Sequence, residues 1–108
     1  MTINELSRES HKTAIEKGWY ETDRTFGDYT ALFHSEISEA FEEHRNNKKY
    51  TEIYFDNDKP CGIPIELADL MIRIGDFAEY AGIDLEKAIS IKADYNKTRS
   101  FRHGNKST

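Results

Sequence analysis

Apolar residues recur at helical spacing in four stretches of the chain, separated by polar or glycine-containing connectors. The first stretch covers residues 3–17 and stops at Gly18, a residue type that ends helices readily. A polar connector, residues 19–27, follows. The second helix is expected to start near Asp28, a good N-cap, and to reach about Asn46. The third starts around Pro64, which suits a first helical turn, and ends before Gly82. Asp84 is placed to cap a fourth helix that runs to about Arg99. Residues 46–62 carry no helical period. A connector of that length predicts a functional loop or a short hairpin, with strand character confined to residues 50–55. The pattern predicts an all-α chain, closed by a basic tail over residues 101–108.

Two helices break the simple apolar-in, polar-out rule. In the second, Tyr29, Leu32, Phe33, Ile37, Ala40 and Phe41 share one stripe, and Glu36 falls inside it. Glu39 and Glu43 lie along its edge. A carboxylate on a core-facing stripe is costly unless something pairs with it. The third helix is apolar around most of its circumference, which predicts burial nearly all round. Its narrow polar wedge holds Glu66, Asp69, Arg73 and Asp76. Arg73 is a candidate partner for Glu66, Asp69 or Asp76 in that wedge.

The chain has 108 residues, enough for one domain. It contains 11 Ile, 5 Leu, 6 Phe and no Val, a lean supply of core formers that predicts completion of the core by oligomerisation. No apolar run is long enough to cross a membrane, and the first residues lack the charged and apolar regions of a signal peptide. The expectation is a cytoplasmic protein. Cys61 is alone, which excludes a disulfide framework and a cysteine zinc site. The net charge of -5 argues against a binder of polymeric nucleic acid.

Glu36 and Glu39 are spaced i, i+3, and so are Glu66 and Asp69. Each pair sits on one helix face, one turn apart. If the two helices are neighbours, four carboxylates gather and require a counter-charge. All-oxygen donors select hard cations such as Mg²⁺ or Mn²⁺. On the fourth helix, Lys92, Tyr95, Asn96 and Arg99 fall within about 100° of arc, with Leu85, Ala88 and Ile89 on the same face one or two turns earlier. That helix is expected to begin as core and to end as a cluster of donors suited to phosphate oxygens.

Plainer readings compete. A single Glu-x-x-Glu is most often solvated helix surface; two such motifs set against apolar faces favour a site. The Lys92/Tyr95/Asn96/Arg99 face on its own is more often plain surface. Glu42, Glu43 and Arg45 read as ordinary solvated charge, with Glu43 also a candidate supporting residue. No Glu is followed three residues later by His, which argues against a ferritin-like di-iron site. Trp19 and Tyr20 either cap the core or offer a face for a base.

Taken in order, Glu36-Ile-Ser-Glu39 and Glu66-Leu-Ala-Asp69 resemble the ExxE…ExxD signature of the MazG-like, all-α nucleoside triphosphate pyrophosphohydrolases. Residues 62–69 look like that family's approach to its third helix. Residues 92–99 are similar to its K-x-x-Y-N-x-x-R segment. Residues 101–106 resemble the basic RHGGK-type tail of small, often phage-encoded members, with Asn105 in place of a glycine. Residues 11–20 resemble the first helix and its aromatic exit. The resemblance implies a single MazG-like domain over residues 1–108. It implies a four-to-five-helix bundle active as a homodimer or homotetramer, with Mg²⁺-dependent hydrolysis of an NTP or dNTP to the monophosphate and pyrophosphate. Glu36, Glu39, Glu66 and Asp69 would bind the metal, and Lys92, Tyr95, Asn96 and Arg99 the phosphates. Glu39, at the edge of its stripe, is the expected general base. The competing expectations are a non-enzymatic helical module that binds a nucleotide or a protein, and a metal-dependent phosphohydrolase of a different ester.

Overall fold

Reciprocal caps set the starts of the first two helices. Helix α1 (Ile3–Glu16) begins where Thr2 Oγ1 accepts from the Glu5 backbone N–H at 3.1 Å and Glu5 Oε1 accepts from the Thr2 N–H at 3.0 Å. It ends at Lys17, where Gly18 turns left-handed, and a 3₁₀ turn (Trp19–Glu21) follows inside the expected polar connector. Helix α2 (Phe26–Arg45) starts earlier than expected. Thr25, not Asp28, is its N-cap, and Asp28 returns the bond from the third helical position at 2.9 Å. Both residues are good caps in isolation; Thr25 wins because its partner three residues on can reciprocate. The computed structural model describes residues 1–99, so the expected tail over residues 101–108 lies outside the described residues.

The long connector contains a hairpin. Strands β1 (Tyr54–Asp56) and β2 (Lys59–Cys61) pair antiparallel, with Tyr54 opposite Cys61. Asn57 and Asp58 make the turn with φ of 50° and 69°, the left-handed pair that a two-residue hairpin turn requires. Helix α3 (Ile63–Ala81) follows with Pro64 in its first turn, and α4 (Leu85–Thr98) starts where Asp84 Oδ1 accepts from the Lys87 N–H at 3.0 Å. The chain is thus mainly helical, as the pattern predicts. None of the described helices is long and apolar enough to cross a membrane.

Helix α3 is central and packs on both α1 and α2. Against α1 the approach is close: a Cβ on Gly75 would lie 3.2 Å from Ser7 Cα, so the absent side chain lets the helices touch. Against α2 the contact is aromatic, with the Tyr29 and Phe77 rings 4.6 Å apart.

Two expectations about burial fail. Helix α3 is not covered all round, since Leu67 is 49% exposed and Met71 44%. Helix α4 does not begin as core, because none of its residues is buried and Ile89 is 45% exposed. It is tied to α1 by polar bonds, with Asn4 Nδ2 donating to Asp84 Oδ1 at 2.9 Å and the Glu86 N–H donating to Asn4 Oδ1 at 3.2 Å. Ile37 and Phe41 on α2 are also open, at 51% and 61%. Among the described residues no further element lies over these faces.

Gly62 joins the connector to α3. Its φ is 121°, and a Cβ there would fall 2.2 Å from the Glu52 carbonyl oxygen. Gly62→Ala is therefore expected to cost about 3 kcal/mol or more, from strain and collision together. Urea denaturation followed by Trp19 fluorescence measures this; a loss below about 0.5 kcal/mol would contradict the close approach.

Candidate metal centre

The site forms where the first turn of α3 meets the middle of α2. Glu36 and Glu39 lie one turn apart on α2. Glu66 is fixed by its backbone N–H, which donates to the Gly62 carbonyl at 3.0 Å. One carboxylate oxygen from each of Glu36, Glu39 and Glu66 lies within 4.8 Å of the others. Glu36 is 4% exposed, Glu66 is half-buried and Glu39 faces solvent. Asp69, half-buried one turn along α3, stands outside this group, though its charge is felt at Glu66.

Three like charges at this separation cannot coexist without help. At 4.8 Å each pair repels by roughly 3.5 kcal/mol at an effective dielectric of ~20. Three pairs then approach the whole net stability of an ordinary domain, about 5–15 kcal/mol. One cation of the chain is committed to the problem: Arg73 Nε donates to Glu36 Oε1 at 2.5 Å. The polar wedge of α3 suggests Glu66, Asp69 or Asp76 as its partner; the structure pairs it with the neighbouring helix instead.

Proton uptake relieves the remainder. Burial pushes the Glu66 carboxyl up to about 7, helped by a hydrogen bond with Glu39 and by the charges of Glu39, Asp69 and Glu36. That hydrogen bond exists only while one of the two carboxyls carries a proton. Glu36 Oε2 and Glu66 Oε2 are buried and have no hydrogen-bond partner. Unpartnered buried carboxylate oxygens in an all-oxygen donor set fit a hard divalent cation.

The expected phosphate-binding face is a cluster of its own. Lys92 Nζ lies 4.9 Å from the Tyr95 ring centre, and Arg99 Cζ lies 5.4 Å from the same centre. Asn96 lines a shallow groove with Lys92, Ala88 and Ile89. Among the described residues, Lys92, Tyr95 and Asn96 make no bond to the four acids. Helix α4 packs chiefly on α1, whereas the acids lie between α2 and α3. Among the described residues, a single chain therefore builds the carboxylate cluster and leaves Lys92, Tyr95 and Asn96 unbonded to it.

Three further features escape a reading by motif. Tyr54 on β1 donates to Glu43 on α2, with both carboxylate oxygens 2.8 Å from its hydroxyl, and so ties the hairpin to the acid-bearing helix. Asp76 is buried toward α1, where its Oδ1 accepts from Tyr20 Oη at 2.8 Å and lies 2.9 Å from His11 Nδ1. Burial, with the bonds to Tyr29 and Asp76, pushes the Tyr20 hydroxyl well above the usual phenol range. A cavity of about 430 Å³ opens between α1 and α3, lined by Leu6, Ser10, Trp19, Ile72, Arg73 and Asp76. Trp19 is half-buried at its edge, with the Arg24 guanidinium 3.7 Å from its ring centre and bonded to its carbonyl. In the sequence Glu43 reads as ordinary solvated charge, Asp76 as part of the polar wedge and Trp19 as a core cap or a stacking face; their partners come from other elements.

The raised Glu66 value has a definite sign. A carboxyl held higher in the fold than in the unfolded chain supports folding below its ordinary range, and that support is lost as pH rises through about 7. In EDTA the melting temperature is expected to fall by about 3–6 °C between pH 5 and 8. Glu66→Gln should flatten that decline, and Mg²⁺ should restore the melt at pH 8. Circular dichroism melts check each point; a wild-type decline that persists in Glu66→Gln would remove Glu66 as its source.

Comparison of the chain with known protein families, with curated proteins and with solved structures finds no match.

Proposed function

We propose that the chain is a Mg²⁺-dependent nucleoside triphosphate pyrophosphohydrolase, converting an NTP or dNTP to the monophosphate and pyrophosphate, with Mn²⁺ as a substitute metal. The observation that carries this reading is the convergence of Glu36, Glu39 and Glu66 from the ExxE and ExxD motifs, with two of their oxygens buried and unpartnered. A bound divalent cation would neutralise the triphosphate and the charge that develops on it. Glu36, Glu39, Glu66 and Asp69 are assigned to holding it.

Glu39 is assigned as the base. It is the exposed member of the cluster, so water reaches it. Water attacks the α-phosphorus in line, Glu39 takes its proton, and pyrophosphate leaves. The cavity beside Trp19 and Arg73 suits the nucleoside part, with a ring to stack on and Asp76 to accept hydrogen bonds. Lys92, Tyr95, Asn96 and Arg99 are assigned to the phosphates. Their separation from the acids in one chain, and the open apolar faces of α2, α3 and α4, support a homodimer or homotetramer as the working form.

The direct test is a panel of canonical and modified NTPs and dNTPs with Mg²⁺, assayed for pyrophosphate. Pyrophosphate release supports the reading. Orthophosphate alone indicates a different phosphohydrolase, and no product from any nucleotide favours a binding module. Glu39→Gln and Asp69→Asn are each expected to lower turnover by about 100-fold or more while the fold is kept. Full activity in either would overturn that residue's assignment.

A further inference from the structure

Arg73 belongs to two places at once. Its Nε donates to Glu36 Oε1 at 2.5 Å, and its Cζ lies 5.1 Å from the Trp19 ring centre, at the wall of the α1/α3 cavity. The Glu36 side chain is 5% exposed and its second oxygen has no partner, so the arginine satisfies only half of a buried carboxylate. Arg73 itself is 34% exposed and is not locked in place by burial. It brings one charge to three carboxylates. A divalent cation brings two charges and accepts several oxygens together, so both compete for Glu36.

We infer that Arg73 is an internal counter-ion, which holds Glu36 until a divalent cation replaces it and then keeps only its contact with Trp19 and the cavity. The inference rests on the reading of the carboxylate cluster as a cation site. It gives Arg73 two effects of opposite sign: it stabilises the metal-free fold, and it weakens cation binding. An arginine that merely braces the structure would support both. The released guanidinium is then a free donor at the cavity, so cation binding at one end prepares the other end for an electron-rich group.

Mn²⁺ titration followed by the electron paramagnetic resonance of the free ion, at pH 8, separates these cases. Arg73→Gln is expected to bind Mn²⁺ about fivefold tighter or more, and to melt lower than wild type in EDTA. Arg73→Lys, which keeps the charge, should stay near wild type. Equal or weaker Mn²⁺ binding by Arg73→Gln overturns the inference. Should that variant fail to fold, the wild-type Arg73 Nε–H resonance, assigned with Arg73→Lys, decides. Protection from exchange without metal and its loss on saturation with Mg²⁺ support displacement; protection retained with the ion bound overturns it. Wild-type protein that binds no Mn²⁺ removes the cation site and the inference together, a result distinct from tight binding with Arg73 still on Glu36.

Discussion

Three carboxylates within 4.8 Å of one another, across the contact of two helices, set the terms for the rest of the molecule. Their mutual repulsion pushes α2 and α3 apart at the point where both must meet. The packing that resists it lies along the same pair of helices. Tyr29 packs tilted against Phe77 toward the far end, and Ala40 and Ile63 are buried at the near end. The hairpin adds a second restraint, because Tyr54 grips Glu43 one turn beyond Glu39. Gly62 lets the connector lie against the start of α3, which fixes where Glu66 points. The irregular segment is therefore part of the site's frame, although it supplies none of the three clustered acids.

The polar wedge of α3 serves two neighbours, and helix geometry divides it. Arg73 is seven residues beyond Glu66, only about 20° away around the axis, so both face α2. Glu36 meets both of them and so sits between them along α3. Asp76 is about 60° further round than Arg73 and faces α1, where His11 and Tyr20 receive it. One narrow stripe thus contributes to the carboxylate cluster on one side and carries a buried hydrogen-bonded acid on the other. Arg73 is the residue in contact with both regions, which is why its behaviour couples them.

Much of this was legible in the chain itself. The helix count follows from apolar period and punctuation, and Glu36 announced itself as an acid on an apolar stripe. Its need for a partner was readable too; the partner's identity was not, because Arg73 has several acids closer in sequence and only the crossing of α2 and α3 selects among them. The start of α2 was misplaced for a local reason. Asp28 and Thr25 are both acceptable caps, and the choice depends on a reciprocal bond that composition does not reveal. Burial was the least legible property. Period alone shows which face is apolar, not whether anything in the same chain covers it.

That last gap bears directly on the chemistry. The open residues Ile37, Phe41, Leu67 and Met71 lie on α2 and α3, the two helices that hold the acids. Ile89 is open on α4, the helix that holds the basic donors. Association of these faces would bury apolar area and also exclude water from the neighbourhood of the carboxylates, which strengthens every charge interaction there. It would raise the cost of leaving the acids uncompensated, and so make a cation more necessary in the assembled form than in one chain. A lean core and an overcharged cluster are then two consequences of one design. The helices that fall short of a complete core alone are the helices whose acids fall short of neutrality alone, and a partner copy and a cation would meet both shortfalls together.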